Sequence, residues 1–122
     1  MIGENDTILY NNLKALSYDV YPLVAKENAK SPFIIYSNSN NNISNYLDSE
    51  NNWNNVQESN FTVKCYAKTY RQLKVMTDEV IDNLLNINNL NTSNVLVYNT
   101  TDKKDGDDFV SIINIKIITR IN

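Results

Sequence analysis

The chain has 122 residues, is 42% hydrophobic, and carries 11 basic against 14 acidic residues, a net charge of −3. That size suits one compact domain with one core, and the negative balance argues against a dedicated nucleic-acid binder, which needs a basic footprint. One cysteine forbids an intramolecular disulfide, and the absence of histidine removes the commonest general base and transition-metal ligand.

No run of residues approaches the length of a membrane span, and the stretch from Met1 to Asp6 lacks the basic and apolar regions of a signal peptide. The chain is therefore expected to be soluble and cytoplasmic. Its 23 asparagines, with only two glycines and two prolines, reflect the codon bias of an AT-rich genome more than any function.

From Asp6, a candidate N-cap, Leu9, Leu13, Leu16 and Val20 recur at helical spacing, which predicts a first helix stopped by Pro22. Pro32 leads into Phe33-Ile34-Ile35-Tyr36, a short run with strand propensity. Residues 37–60 hold ten asparagines, a density of turn-formers that predicts a long, mobile loop. Tyr46 and the only tryptophan, Trp53, fall inside it. Two readings of Trp53 stay open: a surface contact element, or a lid tucked onto its own domain.

Phe61, Val63, Cys65 and Ala67 alternate with Thr62, Lys64, Tyr66 and Lys68, the period of a strand with one buried face. Thr69-Tyr70-Arg71-Gln72 has the form of a capping box, so a second helix starts there, with Leu73, Met76, Val80, Leu84 and Ile87 on its apolar side. Val95-Leu96-Val97-Tyr98 predicts a third strand. Asp105-Gly106 supplies a hairpin turn, and a long last strand runs from Asp108 to Ile121, with Ile113, Ile115, Ile117 and Ile121 on one face and Asn114, Lys116 and Arg120 on the other. The expected fold is α+β: a mainly antiparallel four-stranded sheet packed with two helices, in the order α-β-β-α-β-β.

The constellations that could carry chemistry are few. Asp102, Asp105, Asp107 and Asp108 resemble a divalent-cation loop but lack its closing glutamate and occupy a solvated hairpin tip, so no metal is expected. Cys65 sits on an apolar strand face without a histidine to activate it and reads as core. Lys64, Tyr66, Lys68, Tyr70 and Arg71 interleave charge and aromatic rings as single-strand nucleic-acid binders do. The negative net charge and the missing glycines of the usual RNA-binding strand favour a solvated or subunit-facing strand instead. Asp78, Glu79 and Asp82 are at ordinary helical spacing with no second catalytic group beside them, so no catalytic site is expected.

Taken in order, these elements resemble the tail-terminator and tail-completion proteins of long-tailed phages. The features that carry the resemblance are the first helix running into Val20-Tyr21-Pro22, the proline-led strand Ser31 to Tyr36, and Phe61 to Tyr70 followed by Leu73 and Thr77 to Leu85. The long strand from Phe109 to Arg120 completes them. The 37–60 loop departs from the family's shorter connections.

The resemblance implies a non-enzymatic virion protein of the tail or neck region, made in the host cytoplasm. It would be a subunit of a homo-hexameric ring that caps the tail tube, stops its polymerisation and meets the head-tail connector. It implies contacts with the tail tube protein and neck proteins, no cofactor, and genomic DNA passing through the ring without specific binding. The contact residues expected under this reading are Tyr46, Trp53, Lys64, Tyr66, Lys68, Tyr70, Asp105, Asp107, Lys116 and Arg120. A head-completion or neck subunit, and a small single-stranded nucleic-acid binder, are the alternatives.

Overall fold

A computed structural model describes residues 4–47, 50, 53–86 and 93–120; within these, the side chains of residues 4, 44, 46, 47, 53, 54, 93 and 120 lie outside the description. The elements are α1 (Glu4–Lys14), β1 (Asp19–Pro22), β2 (Phe33–Leu47), β3 (Trp53–Ala67), α2 (Tyr70–Leu85), β4 (Ser93–Asp105) and β5 (Asp108–Arg120). The strands form one sheet in the order β1-β2-β3-β5-β4, with β1 parallel to β2 and every other pair antiparallel. The expected four-stranded sheet in the order α-β-β-α-β-β is thus corrected to a five-stranded mixed sheet in the order α-β-β-β-α-β-β.

The extra strand comes from the end of the expected first helix. Leu9 and Leu13 are buried as that helix required, but α1 stops at Lys14 and Val20 reaches the core from a strand, beside Ile34. Asp19-Val20-Tyr21 has one buried residue between two outward ones, so strand alternation accounts for Val20 as well as helical spacing does. Pro22 ends the strand at the sheet edge, where its missing N–H costs no ladder bond.

The second correction is larger. Residues 37–60, expected as a loop, belong mostly to the two 15-residue strands of a hairpin, β2 and β3, paired from Phe33↔Tyr66 to Leu47↔Trp53. A bulge between Asn38 and Asn40 inserts Ser39, whose hydroxyl donates to the Asn60 carbonyl at 3.0 Å. Beyond it, Ser39 to Ile43 and Asn45 are exposed, so the outer half of β2 stands clear of the helices.

Both helices cover one face of the sheet. Phe61, Val63, Cys65 and Ala67 of β3 and Ile113, Ile115 and Ile117 of β5 pack under Leu73, Met76, Val80 and Leu84 of α2 and Leu9 and Leu13 of α1. The expected cap is present with one change. Thr69 accepts from the Gln72 N–H at 3.1 Å, while Gln72 reaches back to the N–H of Lys68, one residue before the cap, at 3.2 Å.

The covered face continues past the apolar core into a polar patch. Asn5, at the start of α1, donates to the Ser59 hydroxyl at 2.9 Å and to the Ile117 carbonyl at 3.5 Å, and accepts from the Thr119 hydroxyl. All three polar side chains are buried, so this network meets hydrogen-bonding needs that would otherwise oppose folding.

Candidate interaction surfaces

The β4–β5 hairpin has a two-residue loop, Gly106-Asp107, closed by the pair Asp105↔Asp108. Gly106 has φ +62°, the left-handed value that the first central position of a type II′ turn requires and that a side chain disfavours. This turn lies where sequence places it, and Asp105 and Asp107 are exposed on it. The neighbouring carboxylates are engaged elsewhere. Asp108 accepts from Ser31 at 2.7 Å and pairs with Lys68 at 3.5 Å. Among the described residues no group of three or more acidic or thiol side chains is arranged to hold a metal ion.

Asp102, on β4 beneath the start of α2, is the centre of a denser cluster. It accepts from Ser111 at 2.7 Å and Tyr70 at 3.3 Å and is ion-paired with Lys74. The Lys74 ammonium holds its carboxyl below the usual carboxylate range, helped by Ser111 and Tyr70 and opposed by partial burial. The same ammonium lies 5.1 Å from the centre of the Tyr70 ring, and Lys104 lies 5.6 Å from that of Phe109, which meets Tyr70 edge-on at 6.1 Å. Sequence reading counted Asp102 only as part of a hairpin-tip cluster. Its partners are 9 to 32 residues away along the chain, and no local pattern reports them.

The expected contact residues do not form one patch. Lys64 and Tyr66 point away from the helices, whereas Tyr70 opens α2 on the helix side and Lys68 lies between them at the strand end. Tyr66 stacks on Phe33 at 4.6 Å, and Phe33 meets Tyr21 edge-on at 6.0 Å. One side of the outer-face Tyr66 ring is therefore covered by its own chain. Burial, and then Asp105 and Asp108, push its hydroxyl above the ordinary tyrosine range.

Lys116 pairs with Glu58 at 3.6 Å on the same face. A polar row crosses the sheet nearby, from Thr62 to Asn114 at 3.1 Å and from Asn114 to Asn99 at 2.6 Å. Tyr46, Trp53 and Arg120 have strand backbones, opposite Asn54, Leu47 and Val56 respectively; their side chains lie outside the described ones. Cys65 is fully buried, and desolvation pushes its thiol up to about 12, which leaves it inert as a nucleophile.

What sequence reading missed is the sheet's open edges. β1 covers β2 only from Phe33 to Tyr36. There Leu23, at φ +65°, turns the chain away: its N–H donates to the Tyr36 carbonyl at 2.8 Å and the next N–H, of Val24, to Pro22 at 2.7 Å, a γ-turn that stores strain. Beyond Tyr36 no described strand lies against the outer side of β2, and β4 is the outermost strand at the other side of the sheet.

No protein-family model matches the chain, and neither does any curated protein. Among solved structures, a chain in the virion of a native gene transfer agent (GTA) particle has a similar fold, with a TM-score of 0.61 over 93% of this chain and 92% of that one, at 13% sequence identity.

Proposed function

We propose that this chain is a structural virion protein and not an enzyme: a subunit of a homo-hexameric ring that caps the tail tube, halts its polymerisation and joins it to the connector on the head side. The observation that carries the reading is the likeness, over nearly the full length of both chains, to a chain of a gene transfer agent virion. The order of elements that resembles tail terminators adds to it. So does the way the most reactive candidates are occupied: Cys65 as core, Asp102 by Lys74, Ser111 and Tyr70.

A small domain closes a ring when one patch meets a different patch on the next copy. The hairpin turn at Gly106 and the outer half of β2 are both exposed. In this reading the Gly106 turn contacts the tube protein or the connector, while the acidic surplus lets DNA pass without adhering. Multi-angle light scattering of the purified chain, with negative-stain micrographs of the same sample, tests the assembly. A species of six chain masses with closed-ring images is expected, and a monomer at every concentration overturns it.

A further inference from the structure

An open sheet edge is a template for another strand, and proteins that stay monomeric blunt it with charge, proline or a covering segment. Among the described residues, no strand covers either long edge of this sheet along its centre. Charged residues make up 20% of the chain, yet the 15 residues of β2 include none, and β4 has none before Asp102. Neither stretch contains proline. Each instead exposes apolar side chains: Ile43 on β2 is 55% exposed, and Leu96 and Tyr98 on β4 are 53% and 57% exposed.

Strand direction makes the two edges complementary. β2, β3, β5 and β4 alternate in direction across the sheet, so β4 runs opposite to β2. A second copy set beside the first in the same orientation therefore brings its β2 antiparallel to the first copy's β4, in a head-to-tail contact that repeats around a ring.

We infer that the outer edge of β4, from Leu96 to Thr101, pairs antiparallel with the outer edge of β2, from Ser37 to Leu47, on the next copy, so that one sheet continues through the assembly. The inference rests on the ring reading above. The γ-turn at Leu23 has a role in it, because by ending β1 at Pro22 it leaves this edge uncovered.

Cysteine cross-linking tests the pairing. Ile43→Cys and Tyr98→Cys are made singly and together and treated with a flexible bis-maleimide; Cys65, fully buried, stays silent in the parent chain. The double variant is expected to give a ladder of covalent oligomers, and each single variant none, because unlike edges meet. Cross-linking of either single variant indicates like edges meeting and overturns the pairing. An absent ladder in a double variant that light scattering shows to be assembled also overturns it and leaves the ring standing. A chain that is monomeric by light scattering overturns both. Leu96→Lys, at an exposed position, is expected to abolish the ladder in the double-cysteine background with an unchanged circular dichroism spectrum, and an undiminished ladder counts against the assigned edge.

Discussion

Replacing Asn5 by alanine tests whether the polar patch beneath the outer half of the sheet ties α1 to β3 and β5. Asn5 donates to Ser59 and the Ile117 carbonyl and accepts from Thr119. Three buried hydrogen bonds at about 1 kcal/mol each, less about half a kcal/mol regained because alanine is the better helix former, give a loss of about 2–3 kcal/mol. For a chain of this length, total stability is on the order of 6–18 kcal/mol, so the midpoint of thermal unfolding should fall by roughly 10 °C. Ser59→Ala should cost about 1 kcal/mol, and the double variant about 1 kcal/mol less than the sum, because both changes delete the same bond. Urea unfolding followed by circular dichroism measures all four corners of the cycle. A loss below about 0.5 kcal/mol for Asn5→Ala, or strict additivity, refutes the network.

Two further predictions concern titrating groups. Burial raises the Cys65 thiol from 9.0 to about 12, so above pH 9 the unfolded chain ionises this group while the folded chain keeps it neutral. Stability should fall between pH 9 and about 12, and Cys65→Val should remove that component of the alkaline slope in urea titrations. The carboxyl of Asp102 is held below its ordinary 3.8, so its stabilisation is present above that value and is lost as pH falls through the lower folded value. Asp102→Asn should be less stable than the parent near neutrality, and the difference should shrink in acid-unfolding curves below pH 3.8.

The parts of this fold that were legible in the sequence are those where local chemistry and burial agree. Thr69 and Gln72 announce the start of α2, Asp105-Gly106 the β4–β5 turn, and Phe61 to Ala67 a half-buried strand. Val20 satisfied helical and strand spacing alike, and only its pairing with Ile34 separates the two.

The Asn-rich segment has the look of a loop in sequence for a different reason. Buried positions of β3 continue at a period of two through Ser59 and Gln57, but their polar side chains erase the apolar alternation. Their partner β2 has the composition of a turn, and its strand form follows from a ladder of pairs with β3. The same nonlocality hid the surfaces. Asp102 acquires Lys74 and Tyr70 only when β4 passes under α2, and an edge exists only once strand order is known.

The proposed ring role puts this chain at the head-proximal end of a tail. Immunogold labelling of intact particles with antibody against the folded chain tests it most directly. Gold confined to the junction of tail and head is expected; label along the tail shaft, at its distal tip, or absent from particles altogether would overturn the proposed position.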